Sequence, residues 1–414
     1  MKFYELVNEF NQSKNTKDTF KIYYNNFKSC DEHKLEIISS DKNMAINLPI
    51  LKQIMDLPNI MTIFEYPNLA FYNSDIVLGM VDGKRVPFSL DYSISFESNS
   101  ARYLHDYLST GTCNGKNFET TLHTLLEKNY NLDPMFYMIE NSAKDNKSNK
   151  FYENLYSIKK LMTCDMNYYY KTKKIKSVFT DIEVENIVKE DLYHLEHKFK
   201  SIIDKAKEQQ LIMKVILLAM AFARYKYKNE KEQVSYIVTF MSERLKTIFL
   251  RELVIAINYF YFENIKDIDL KKDEKDKYRF FNPLNGQDES KFFEKLDGMA
   301  WDFTLVRQLE MYFTSKPNPD ADFFIPFLFT YDEGLIEVMK MFYCKEFLIF
   351  HQDKRTIPIP SINRFNMNKI EEYGLSHYFT EEAMNNRLKN HIVDFEKVFN
   401  ELKNEFINLR LKTK

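Results

Sequence analysis

The amino-acid sequence predicts a mixed α/β, helix-rich protein. Short apolar runs between turn residues lie near the N-terminus and again after residue 320, which is the strand signal. Between them, residues 117 to 265 carry helical periodicity almost without interruption. Hydrophobic residues make up 44% and aromatics 15% of the 414 positions, ample for a packed core and too much for a disordered chain.

Residues 1 to 30 read as a short helix and a polar lead-in. Leu35–Ile38, Met61–Phe64 and Asp75–Leu78 are strand-like runs. Val81-Asp82-Gly83-Lys84 predicts a tight β-hairpin, because Asp-Gly supplies the positive φ angles such a turn needs, with Arg85–Leu90 as the return strand. A helix is expected from Ser98 or Asn99, both good caps, carrying Tyr103, Leu104 and Leu108. Leu122, Leu125, Leu126 and Tyr130 continue the helical period; 142–150 is a polar loop. Further helices are expected at 181–207, 210–226, 231–247 and 248–264, then a charged connection over 265–290 and a helix over 300–314. Asp322–Phe329 is a buried-type strand run in which Pro326 argues for an irregular or edge position. A helix at 333–342, a strand at 345–350 and an amphipathic tail helix at 380–411 complete the chain.

Several function classes drop out. The eight glycines are never closer than four residues apart, so neither glycine-rich phosphate loop is present. The four cysteines are scattered and form no C-x-x-C pair, which argues against a thiolate zinc site and fits a reducing, cytoplasmic setting. The apolar run Leu211–Ala223 is broken by Lys214 and is too short for a bilayer, so no membrane role is expected. The formal charge of −2 gives no global footprint for nucleic acid. Residues 168–176 do join three tyrosines to Lys171, Lys173, Lys174 and Lys176; a solvated linker is the plain explanation of so short a run, a nucleic-acid backbone contact the functional one. His194 and His197 lack a third ligand, Arg387 and His391 are one residue short of a small-ribonuclease spacing, and His351 has no identifiable partner.

Carboxylates within apolar patterns carry more information, since ionised acids are rarely buried without a partner or a metal. Asp91 follows VPFSL. Glu252 sits in the apolar stretch Ile248–Phe262. Asp302 shares a helical stripe with Val306, Leu309 and Phe313. Asp332 follows FFIPFLF. Each has a structural explanation as a cap, an ion pair or a dipole partner.

In order along the chain the four resemble the acids of PIN-domain ribonucleases. The pieces that carry the resemblance are PFSLDYSISFESNSARYL (87–104), LRELVIAI (250–257), MAWDFTLVRQLEMY (299–312) and IPFLFTYDEGLIEV (325–338), with KEFLIF as a final strand. The resemblance implies a PIN-like core split over 85–110 and 246–351, an N-terminal hairpin region over 1–84, an all-helical insertion over 111–245 and a helical tail over 352–414. It implies catalytic Asp91, Glu252, Asp302 and Asp332, of which Asp91, Asp302 and Asp332 would bind Mg²⁺ or Mn²⁺, with Thr330 supporting the last turn. The family carries Asn two residues after its first acid, where this chain has Ser93. Asp297, Glu97 and Glu333 are neighbouring acids that could take a place in the cluster. Arg307, Arg251, Lys171, Lys173 and Lys174 would meet the backbone of RNA before DNA. The implied activity is metal-dependent endoribonuclease cleavage, in a toxin or anti-phage setting, with a regulatory partner or self-association through the insertion. The competing expectation is a non-enzymatic helical interaction protein whose acids are structural.

Overall fold

The computed structural model describes residues 3–43, 48–144, 148–264, 278–285, 289–314, 317–353, 355–361, 367–389 and 392–413. Most of the charged connection, 265–277 and 286–288, lies outside them. The chain is 64% helical with two sheets, so the helix-rich α/β expectation holds. It divides into two compact units: Met1–Asp204 with Leu305–Ile362, and Lys205–Thr304 with Asn363–Lys414.

The first unit holds both sheets. One is antiparallel throughout, in the order β3 (Leu69–Tyr72), β1 (Leu35–Ser40), β7 (Cys344–Phe350), β8 (Arg355–Pro360). The other runs β2 (Ile60–Met61), β6 (Phe323–Phe329), β4 (Leu90–Phe96), β5 (Leu132–Asp133). Here β4 lies parallel to both β5 and β6, and β2 pairs antiparallel with β6. All seven residues of β6 are buried, which is why its sequence reads as an unbroken apolar run. The first sheet closes on the N-terminal helices through a core that includes Leu6, Phe10, Tyr23, Ile37 and Leu348. Glu346 of β7 is buried there, and the hydroxyls of Ser13 and Thr19 donate to its carboxyl.

The second unit is helical among the described residues. Its helices include Glu230–Glu243, Leu250–Asn264 and Phe395–Thr413. Arg224 pairs with Glu263 at 2.8 Å, and Arg244 reaches Glu401 at 2.8 Å and Glu405 at 3.0 Å.

Four expectations are corrected. The hairpin is absent: Ser74–Val81 is a helix capped by Asn73, whose side chain accepts the Ile76 N–H at 2.9 Å. Gly83 follows that helix at φ +68°, so the Asp-Gly pair ends a helix instead of turning a hairpin. The chain then passes so close to Gly79 that a Cβ there would lie 1.9 Å from Val86 Cγ2. Second, β6 is an interior strand despite Pro326. Thr62 donates its hydroxyl to the Pro326 carbonyl at 3.0 Å, so proline's missing donor faces the side where the two-residue β2 has already ended. Third, the segment 111–245 is not all helical, because Leu132–Asp133 supplies β5 beside β4. Fourth, the helix expected at 300–314 runs from Glu289 to Tyr312.

Candidate active site

Three parallel strands end on the same side of the second sheet, which is where open α/β sheets place their sites. Phe96 of β4 pairs with Phe329 of β6, so the residues that follow them stand side by side. Glu97 follows β4 and caps the helix Ser98–Thr110, its Oε2 accepting the Asn99 N–H at 2.9 Å. Thr330 follows β6, is fully buried, and donates its hydroxyl to the same Oε2 at 3.2 Å. Asp332 caps the helix Glu333–Met341 through Oδ1, 3.0 Å from the Leu335 nitrogen. Its other oxygen, Oδ2, receives the Asn99 side-chain amide at 3.3 Å. Its own N–H is held by Thr330 Oγ1 at 3.0 Å.

The third acid comes from beyond β5. Glu140 lies on the helix Met135–Ala143 and is 5% exposed. Ser98 donates to its Oε2 at 2.8 Å and the Lys144 ammonium sits 2.5 Å from its Oε1. Asn141 in turn donates to the Ser98 hydroxyl at 3.3 Å. Asp133, at the end of β5, accepts the Ser95 hydroxyl at 2.5 Å and the Met135 N–H at 2.8 Å.

Electrostatics single out Glu97. Burial pushes its carboxyl up to about 8, the charge of Glu140 adds to that, and Asp332 adds further. The Asn99 N–H and the Thr330 hydroxyl pull it partway back. Glu97 is therefore a carboxyl that keeps its proton near neutrality, with ionisable neighbours on two sides.

The sequence-expected acids fall differently. Asp332 and Thr330 belong to this site. Asp91 does not: it is the second residue of β4, paired with Phe324 at the start of β6. Six residue steps separate it from Glu97, about 20 Å at 3.3 Å per residue. Its Oδ1 accepts only the N–H of its own neighbour Tyr92, at 2.9 Å, among the contacts seen for it. The acid that follows the strand is Glu97, and Asn99 stands two residues after it, the spacing that fails at Asp91 and Ser93.

Glu252 and Asp302 belong to the second unit. Glu252 is 1% exposed on the helix Leu250–Asn264, next to a buried Arg251. Asp302 is half-buried and lies in the middle of its helix, not at its start. Asp297 ties two helices together, accepting Lys214 at 2.6 Å and Gln210 at 2.8 Å. Glu333 is exposed in the first turn after Asp332. Arg307 is committed to Glu310 at 2.9 Å and lies over the Phe342 ring. Lys171 and Lys174 are exposed, and Lys173 pairs with Glu127 at 2.6 Å.

Glu140 was missed by the sequence reasoning, although an acid closing the apolar run Met135–Ile139 is the signal that drew attention to Glu252. Among the described residues, no three His, Cys, Asp or Glu side chains stand close enough to hold one metal ion. None of the four cysteines forms a disulfide, and no helix of the described residues is long and apolar enough to cross a membrane. No family model, curated protein or solved structure matches the chain.

Proposed function

We propose that the chain is a PIN-like endoribonuclease whose working acids in the first unit are Glu97, Glu140 and Asp332. One observation carries this. Glu97 and Asp332 follow adjacent parallel strands, are joined through Asn99 and Thr330, and Glu97 is held protonated near pH 7 by burial and by Glu140. A helix cap alone explains why Glu97 Oε2 is bonded. It does not explain why a second buried acid stands close enough to raise its proton affinity.

No three acids among the described residues stand close enough to hold one ion, so Mg²⁺ or Mn²⁺ here would take at most part of its oxygen ligands from the protein, the usual way Mg²⁺ is bound. A divalent ion would be held by the Asp332 carboxylate together with waters and substrate phosphate oxygens, and would supply an activated water and charge for those oxygens. The chain's own residues set up the rest. Thr330 and the Asn99 N–H both bond Glu97 Oε2, which leaves Oε1 to carry the proton. A neutral carboxyl there can donate to the leaving oxygen of a phosphodiester. Asn99 and Thr330 fix Asp332, and Lys144 balances the charge of Glu140.

The test is cleavage of labelled single-stranded RNA with Mn²⁺ by the purified protein, against the D332N variant. The expected result is cleavage by the wild type and its loss in D332N with an unchanged circular dichroism spectrum. Absence of cleavage in the wild type across divalent ions, or full cleavage by D332N, defeats the proposal.

A further inference from the structure

We infer that residues 166–179 form a preorganised platform for single-stranded nucleic acid. The inference rests on the nuclease proposal for its biological sense, and on separate observations for its geometry.

The chain leaves the helix Asn149–Met162 at Thr163, makes the short helix Met166–Thr172, and turns back at Lys173, whose φ of +56° is left-handed. The excursion is closed at its neck. Asp165 N–H donates to the Lys176 carbonyl at 2.6 Å, Val178 N–H to the Thr163 carbonyl at 2.9 Å, and the Thr163 and Ser177 hydroxyls meet at 2.7 Å. A loop tied at its neck presents its side chains from fixed backbone, so little ordering cost remains at binding.

What it presents is rings and cations. Tyr170 is 54% exposed and Phe179 43%. Lys173 stands over the rings of Tyr169 and Tyr170 at 5.1 and 5.9 Å, and Lys176 over Tyr168 at 5.5 Å. The nearby acids are already occupied: Glu127 by Lys173, Asp165 as a helix cap, and Asp181 by Tyr156 and Lys160. Among the described residues, Lys171, Lys174 and Lys176 have no carboxylate partner. Lysines without a carboxylate partner, on a loop that also exposes Tyr170 and Phe179, match a chain that alternates phosphates with free base faces. A duplex offers phosphates but no open base face to stack, so the rings select single strands.

The platform also lies within reach of the proposed site. The helix Ser98–Thr110 begins at Glu97, and Tyr107 near its far end meets His123 at 3.2 Å, which meets Tyr169 at 2.7 Å. Ten residues of helix span about 15 Å, a length that a few nucleotides cover.

The experiment measures binding, apart from cleavage, with labelled single-stranded RNA and the same sequence as a duplex, in EDTA. The full-length wild type should prefer the single strand. Y170A should weaken that binding about ten-fold, the lower range of losing one stacked base. K171A/K174A/K176A should lower the slope of log affinity against log salt by about two, at roughly 0.7 per phosphate contact for single strands. Equal affinity for duplex, an unchanged slope in the triple variant, or tighter binding to anionic vesicles than to RNA overturns the inference. Binding as expected by a wild type that cleaves nothing with Mn²⁺ supports the platform and sinks only the nuclease proposal.

Discussion

The two ends of the β4–β6 pair carry the same kinds of residue and do different things with them. At the amino end, Asp322 accepts the Ser89 N–H at 2.6 Å and its hydroxyl at 3.1 Å, and Asp91 leans on its own neighbour's N–H. These are exposed or half-buried acids at the starts of the two strands. At the carboxyl end, Glu97 and Glu140 are buried and bonded to Ser98, Asn99 and Thr330, residues that follow β4 and β6. Parallel strands that end together, each followed by a helix, gather their next residues into one place. The acid chemistry we propose belongs to that end.

The sharpest way to break the comparison is to neutralise one acid at each end. E97Q keeps the shape of a protonated carboxyl but cannot deliver its proton, so RNA cleavage should fall by a factor of about 10² to 10⁴, the usual worth of general acid–base catalysis. D91N should stay within about two-fold of wild type, because nothing seen at its end requires the charge. At pH 5.5, where Glu97 is protonated in the folded chain, both variants should melt as the wild type does. The opposite ranking in single-turnover rates would return the site to Asp91.

Next in size is a pH effect on stability. Glu97 has a folded value of about 8 against an ordinary 4.5, so between those values the folded chain holds a proton that the unfolded chain has lost. Its stabilising contribution is therefore complete below about pH 4.5, declines as pH rises, and is gone above about 8. The total amounts to at most a few kcal/mol. Asp133 and Glu346, both raised by burial, push in the same direction. Urea midpoints should fall from pH 5.5 to pH 7.5, and E97Q should flatten part of that slope. A slope equal in wild type and E97Q would show that Glu97 titrates normally.

Thr330 comes third. Its hydroxyl donates to Glu97 and its oxygen accepts the Asp332 N–H, so T330V leaves both partners short in a buried place. A loss of about 1–3 kcal/mol is expected. Because the hydroxyl favours the ionised carboxyl, its removal should also shift the Glu97 transition to higher pH. Destabilisation without that shift would mean that Thr330 only packs.

Much of the fold was legible from periodicity, and the errors have physical causes. The strands Leu35–Ser40, Phe323–Phe329 and Cys344–Phe350 stand where short apolar runs lie between turn residues. The Asp82-Gly83 pair misled because a helix end and a hairpin turn both need a residue at positive φ, and only Val86 packing on Gly79 decides between them. Asp91 misled for a related reason. The run VPFSL looks like a strand that ends at an acid, but Phe88 leaves the backbone ladder to pack on Phe71 and Phe323, and pairing starts at Leu90. The strand moved by one run, and the acid at its end moved from Asp91 to Glu97. Glu140 carried a signal as an acid closing an apolar run, but its place beside Glu97 did not, because its partner Ser98 lies 42 residues away and the β4–β5 pairing brings the two together.

The smallest expected effect tests a sequence-expected acid that the structure explains without function. Asp297 holds Lys214 at 2.6 Å, with the two side chains 47% and 22% exposed. Partly exposed ion pairs contribute little, because water screens the attraction and two long side chains lose freedom to hold it. The Gln210 amide still bonds Asp297 when the lysine is gone. K214A should therefore cost less than about 1 kcal/mol in urea denaturation, less still at high salt, and leave RNA cleavage unchanged. A cleavage defect in K214A out of proportion to its stability would bring Asp297 into the working site after all, and would end the contrast between the carboxyl ends of the strands and every other acid in the chain.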